Sequence, residues 1–365
     1  MKRLAIIGIR GFPGVQGGVE RHCEILVPML ARRFECRVYR RISYLSKNES
    51  MSDMPNVSFV DLPSTRYKGV EAFCHTLFCC LHLMVHRVDM VNIHNLGPGI
   101  FAPLLRMCGM KVVLTYHSVN YEHDKWGGFS KMFLRFSEKV ALRFSNRVIF
   151  VNRFQMNRFG GRVKAKSVYI PNGIEPRTSD SRGNVNILEN RGIHSGQYVL
   201  GVGRITPEKG FDNLIKAANE VPEIEQVVIA GTCDHDTGYL DYLRTLDAGG
   251  KVVFAGYATG EYLQSLYRNA RLFALTSLNE GFPMVMLEAM SFGLPMAVSD
   301  IPATRLVTLD EECYMPVNDV TAISAKLGEL YNRGIQRVKY DLSGYAWEVI
   351  ASKTVDVYDS LWHSA

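Results

Sequence analysis

The chain has 365 residues, too many for one small core and suited to two domains of ordinary size. With 47% apolar residues and no low-complexity tract, its composition excludes a disordered chain. The net charge of +6 hides a split: residues 1–174 hold 26 Lys and Arg against 11 Asp and Glu, whereas residues 175–365 hold 16 against 25.

In chain order, Met1-Lys2-Arg3 leads into Leu4-Ala5-Ile6-Ile7-Gly8, an apolar run too short for a signal peptide, and a first buried strand is expected at 3–8. Further strands are expected at 36–41, 57–60, 90–94, 111–116 and 147–151, with helices at 18–33, 69–86, 99–107 and 129–144 between most of them. The apolar stretch 70–85 is broken by Glu71, His75, Thr76 and His82 and falls short of the roughly 20 residues that cross a bilayer, so no transmembrane segment is expected. Pro171-Asn172-Gly173-Ile174-Glu175 coincides with the change of charge sign and is expected to join two domains, with a polar linker over 176–196. Strands at 198–202, 226–230, 251–254, 271–275 and 295–298 then alternate with helices near 210–219, 237–246, 260–268 and 284–291. A last amphipathic helix runs from Tyr345 to Ser364.

Apolar runs alternating with amphipathic ones indicate an α/β protein with two doubly wound parallel sheets, over residues 1–175 and 176–344, followed by the helix at 345–365. Ligands of such sheets bind at the carboxyl ends of the strands. Eight cysteines lie mostly in apolar runs without a CxxC pair, which favours buried reduced thiols over disulfides or zinc.

Glycines 8, 11, 14, 17 and 18 follow the first strand and open the first helix, where backbone N–H groups can approach a phosphate. Their spacing is not G-x-G-x-x-G, and Arg37, Arg40 and Arg41 stand where an oxidoreductase would carry an acidic residue. Arg204 ends the strand at 198–202 and Lys209 precedes the next helix; two cations at a sheet mouth suit a diphosphate, the alternative being solvated surface charges. Asn279-Glu280-Gly281-Phe282-Pro283 leads into a helix that carries Glu288. Amides at that helix start suit a phosphate or hydroxyl, and a carboxylate in an apolar helix needs a donor such as a ribose hydroxyl. The plainer alternative is a helix-capping Glu280 and an exposed Glu288. A glycosidase acid–nucleophile pair is disfavoured, since eight helical residues separate two groups by about 12 Å. His117 ends the strand at 111–116, followed by the unusual stretch Tyr121–Trp126. Asp234-His235-Asp236 imitates a metal motif without its surrounding architecture, and no other sequence cluster has metal-ligand spacing.

Together these residues resemble the family 4 glycosyltransferases, retaining enzymes of the GT-B arrangement with two facing Rossmann-like domains. The resemblance spans nearly the whole chain: Gly17-Gly18-Val19-Glu20, His117, Pro171-Asn172-Gly173-Ile174, Gly203-Arg204 with Lys209-Gly210, and Glu280 with Glu288. The opening Gly8-Ile9-Arg10-Gly11-Phe12-Pro13 more narrowly resembles a subgroup that includes rhamnosyltransferases of bacterial surface-polysaccharide synthesis. Asn152 departs from the family, which often has Ser there.

The resemblance implies an acceptor-binding first domain, a nucleotide-sugar-binding second domain and a final helix that crosses back to the first. Arg204 and Lys209 would neutralise the donor diphosphate, Gly17 and Gly18 would let the backbone approach it, and Asn279 to Pro283 would belong to the donor-binding site. Glu280 would hold sugar hydroxyls, Glu288 the ribose, and His117 would stabilise charge during transfer. Attack would come from the front face, with a departing phosphate oxygen taking the acceptor's proton, and no metal or other cofactor is expected. The acceptor expected is a glycan or a lipid-linked glycan. The basic first half, with Arg135, Lys139 and Arg143 among Phe133, Phe136 and Phe144, suits an anionic membrane, so a cytoplasmic protein resting on the inner face of the cytoplasmic membrane is expected. A nucleotide-sugar epimerase would share the fold but needs an acid/base carboxylate set that the sequence does not display. A nucleic-acid binder would leave Arg204, Lys209, Glu280 and Glu288 without a role, and no nucleic-acid partner is expected.

Overall fold

The computed structural model describes residues 1–15, 17–45, 54–65, 70–119, 128–175, 185–233 and 237–363. The chain forms two compact units, Met1–Gly173 with Tyr345–Ala365, and Ile174–Gly344.

In the first unit the elements run β1 (Lys2–Ile7), α1 (Gly18–Leu30), β2 (Phe34–Arg41), β3 (Val57–Leu62), α2 (Glu71–Val85), β4 (Met90–His94), α3 (Ala102–Met107) and β5 (Lys111–Tyr116). Then follow α4 (Gly128–Phe144), β6 (Arg147–Phe150), the short helices α5 (Arg153–Met156) and α6 (Gly161–Lys164), and β7 (Ser167–Tyr169). The seven strands are parallel in the order β3-β2-β1-β4-β5-β6-β7. Helices cover both faces of such a sheet, so central strands are apolar at nearly every position; Val112, Val113 and Leu114 of β5 are fully buried. Strand order reverses between β1 and β4, and there Gly8 (φ 89) lies so close that a Cβ would stand 2.2 Å from the carbonyl oxygen of His94. Only glycine fits that approach.

The second unit contains α7 (Val185–Glu189), β8 (Tyr198–Val202), α8 (Phe211–Asn219), β9 (Gln226–Ala230), α9 (Gly238–Leu246), β10 (Val252–Gly256), α10 (Gly260–Asn269) and β11 (Leu272–Leu275). It continues with α11 (Met284–Ser291), β12 (Met296–Ser299), β13 (Tyr314–Met315) and α12 (Val320–Asn332). Its six strands are parallel in the order β10-β9-β8-β11-β12-β13, reversing between β8 and β11. The last helix, α13 (Trp347–His363), belongs to the first unit, where the Asn92 amide donates to the Tyr358 hydroxyl at 2.6 Å. Gly173 lies flat against Trp347, leaving a Cβ only 2.4 Å from the indole.

Two parallel doubly wound sheets are the α/β architecture expected from the sequence. Beyond the expected elements, the structure adds β7, β13 and α12, together with the short α5, α6 and α7. No helix among the described residues is long and apolar enough to cross a membrane.

Candidate functional site

In the second unit the loops after β8 and β11 meet where the strand order reverses. The Leu278 N–H donates to the Glu208 carbonyl at 2.9 Å and the Thr276 hydroxyl to the Lys209 carbonyl at 3.3 Å. Gly210 makes this fit possible: it adopts φ 61, and a Cβ would stand 2.2 Å from the Thr276 carbonyl oxygen. These ties bring Lys209 and Glu280 together across 71 positions, with Nζ 2.5 Å from Oε1. Ser277 donates to the same oxygen at 2.8 Å. Both charged side chains are largely enclosed, 15% and 10% exposed. Oε2 of Glu280 takes no hydrogen bond among the described residues, and Lys209 uses one of its three donors. Arg204 stands on the same loop, its guanidinium donating to Glu208 at 3.2 Å.

The plainer alternative for the two glutamates does not describe this structure. The residue preceding α11 is Pro283, without a side-chain cap, so Glu280 is not a helix cap. Glu288 is half-buried, its Oε2 accepting from the Tyr267 hydroxyl at 2.7 Å. Tyr267 is itself buried and stacked on Phe292 at 5.4 Å between ring centroids, so the carboxylate is held from behind. Asn279 and Gly281 are partly exposed in the turn before α11, while Phe282 and Pro283 are buried.

In the first unit, Gly17 adopts φ 155 just before α1, a backbone conformation that residues with a side chain rarely take. Glu20 folds back to accept from the Arg10 N–H at 3.0 Å, and a Cβ on Gly17 would meet its other carboxylate oxygen at 2.0 Å. Gly18 is exposed, with open space where a Cβ would stand. Asn152 accepts from the Phe154 and Gln155 N–H groups and starts α5, a task that Ser performs equally well.

His117, one residue beyond β5, is nearly buried and does not stand alone. Its Nε2 lies 2.9 Å from Nδ1 of His94, the last residue of β4, and its ring 5.1 Å from that of His22 on α1. Nδ1 of His22 lies 2.9 Å from Oδ1 of Asn172, an oxygen that only accepts, so His22 carries its proton on Nδ1 and a lone pair on Nε2. Burial lowers His22 to about 4. Burial, reinforced by the neighbouring imidazoles, holds His94 and His117 well below the ordinary value, so all three rings are neutral near pH 7. Sequence spacing shows no metal-ligand cluster, yet the fold brings ligating atoms of His22, His94 and His117 within 4.8 Å of one another. The Tyr121–Trp126 stretch and Asp234-His235-Asp236 lie outside the described residues.

Sequence reasoning passes over Ser277, Tyr267, His22 and His94. Ser277 and Tyr267 act by orienting the glutamates, and nothing in their local pattern distinguishes them from packing residues.

Residues 16–178 match the family model described as Glycosyltransferase Family 4, and residues 187–347 the model described as Glycosyl transferases group 1. An uncharacterized glycosyltransferase of Methanocaldococcus jannaschii is 25% identical over 98% of this chain and 97% of its own. The phosphatidyl-myo-inositol mannosyltransferase of Mycobacterium leprae is 27% identical over 75% of this chain and 74% of its own. Among solved structures, Anabaena HepE in complex with UDP and glucose superposes with a TM-score of 0.77 at 16% identity, covering 99% of this chain and 100% of that one.

Proposed function

We propose that this chain, a GT-B glycosyltransferase with a family 4 domain followed by a group 1 domain, moves a hexosyl group from a nucleoside diphosphate sugar to a glycan or lipid-linked acceptor with retention of configuration. The observation that carries this reading is the enclosed Lys209–Glu280 pair at the carboxyl ends of β8 and β11. It sets a cation for a departing diphosphate beside a carboxylate oxygen with unused acceptor capacity for sugar hydroxyls. In this scheme Arg204 and Lys209 take the diphosphate, Glu280 the sugar, and Glu288, fixed by Tyr267, the ribose. His117 stabilises charge on the transferring sugar. A phosphate oxygen of the leaving diphosphate accepts the acceptor's proton, and transfer needs no metal ion. Relatives that are mannosyltransferases support a hexose donor; a rhamnosyl donor, in surface-polysaccharide synthesis, is the narrower form of the proposal.

The acceptor side is proposed to work at an anionic membrane surface, on the cytoplasmic face. Phe78, Leu81, Met84 and Val85 line one side of α2 and are exposed, Val85 to 78%. The neighbouring α4, whose Phe133 ring lies 6.1 Å from Phe73 of α2, exposes Met132 and Phe136 beside Arg135, Lys139 and Arg143. Apolar side chains among cations are what an interfacial helix presents to anionic lipid.

The test is a donor screen by mass spectrometry with UDP-, GDP- and dTDP-sugars and lipid-linked acceptors, the anomeric configuration of the product being read by NMR. Transfer with inversion overturns the mechanism. Stabilisation by NAD(P) alone, without any nucleoside diphosphate effect on melting, overturns the site. Absence of binding to anionic vesicles at low salt overturns the membrane reading.

A further inference from the structure

We propose that His22, His94 and His117 form a three-histidine site for a divalent transition-metal ion of the zinc class, and that its occupancy switches transfer off. The second half rests on the charge-stabilising role proposed for His117; the first does not.

The geometry is close to a finished ligand set. The nitrogens lie within 4.8 Å of one another, and His94 and His117 already approach to 2.9 Å. A tetrahedral ion with metal–nitrogen bonds of about 2.0–2.1 Å holds its ligands roughly 3.3 Å apart, so movements on the order of 1 Å complete the site. Asn172 fixes His22 from outside, directing protonation to Nδ1 and leaving Nε2 to ligate, the arrangement that orients histidines around metals. In the His94–His117 hydrogen bond, one nitrogen donates and the other accepts. On metal entry the donating ring moves its proton to its other nitrogen, so both present lone pairs and no net proton is released. Three imidazoles without a carboxylate suit zinc, copper or nickel and disfavour magnesium or calcium, which need oxygen ligands. Three protein ligands also leave a fourth position for water or a phosphate oxygen.

Function follows from position. His117 follows β5 and His94 ends β4, beside the strand-order reversal where doubly wound sheets hold ligands. A metal on His117 removes the lone pair and the orientation that transfer would use. Trp347 reports on the site, because its ring centroid lies 5.6 Å from that of His22.

The experiment titrates chelator-stripped full-length protein with Co2+, Zn2+ and Cu2+. Co2+ should give the intense visible bands of a tetrahedral nitrogen site at one ion per chain, and Cu2+ should quench Trp347 fluorescence, an effect absent in Trp347→Phe. His22→Gln and His94→Gln should each weaken Zn2+ binding at least tenfold, and Asn172→Ala roughly 10- to 100-fold, with circular dichroism confirming folding. Octahedral Co2+ spectra, or Zn2+ affinity unchanged in both histidine variants, overturn the site. Even if a variant fails to fold, the wild-type Co2+ spectrum decides. Transfer, assayed in parallel, should fall at least tenfold at saturating Zn2+ and recover on adding chelator. One-to-one binding without inhibition overturns the switch and contradicts the role of His117, while leaving the site standing.

Discussion

Replacing Glu280 by Gln tests the donor site most directly, because it changes charge while keeping shape. Glu280 Oε1 accepts from Lys209 at 2.5 Å and from Ser277 at 2.8 Å. The amide oxygen of Gln can keep those two contacts, so the fold should survive. The other oxygen, proposed to accept from sugar hydroxyls, becomes an NH2 group that can no longer accept. A hydrogen bond to a charged acceptor contributes about 1.5–3 kcal/mol, and each 1.36 kcal/mol is tenfold in rate. One such bond therefore puts the loss in kcat/KM at about 10- to 150-fold, and two put it above about 100-fold. Lys209→Ala should cost at least as much in transfer. It also strands a largely enclosed carboxylate, and breaking a buried pair from one side destabilises by about 3–5 kcal/mol at full burial. The double variant Lys209→Ala/Glu280→Gln should therefore melt higher than Lys209→Ala alone, since neither charge is then left unpaired. The assay is initial-rate release of nucleoside diphosphate, with thermal melts alongside. A folded Glu280→Gln enzyme within twofold of wild type in kcat/KM would refute the assignment.

Tyr267→Phe removes the hydroxyl that holds Glu288 at 2.7 Å; donor KM should rise about tenfold with kcat changing less, the loss of one charge-assisted hydrogen bond. Gly173→Ala puts a Cβ 2.4 Å from the Trp347 ring, and overpacking of about 1–3 kcal/mol should lower the melting temperature and shift Trp347 emission. The histidine cluster predicts acid sensitivity. His22 is lowered from 6.5 to about 4, so the unfolded chain binds the proton more readily. The stability contributed by its neutral form is complete above about pH 6.5 and declines as pH falls toward 4, by up to about 1.4 kcal/mol per pH unit. Thermal melts from pH 8 to 5 in chelator should show this decline, shallower in His22→Gln; equal slopes would contradict the buried neutral imidazole.

The sheets are legible in the sequence because strands buried on both faces are apolar throughout, as in Val112-Val113-Leu114, whereas helices repeat their apolar face every three or four residues. Two strands escape for lack of such a run: β13 has only two residues, and β7 turns Val168 outward. Helix α12, with Ile323, Leu327 and Leu330 inward, carries a readable period that the expected elements omit. The second-unit site is legible residue by residue but not as a unit. Local pattern suggests separate tasks for Lys209 and Glu280, and their contact depends on backbone bonds between loops that no such pattern announces. The histidines show the same limit more sharply. His117 stands out because it follows an apolar strand, while His94 closes a strand and His22 sits in a helix, each resembling an ordinary structural imidazole. What joins His94 to His117 is strand order: β4 lies beside β5, pairing His94 with Thr115, two positions before His117. Once that order is known, the meeting of these two rings follows. His22 follows in turn, because Asn172 holds the edge of its ring through Nδ1 while the ring itself lies 5.1 Å from that of His117. The chemistry of this unit is thus a property of the doubly wound order, which sets together residues 23 and 150 positions apart.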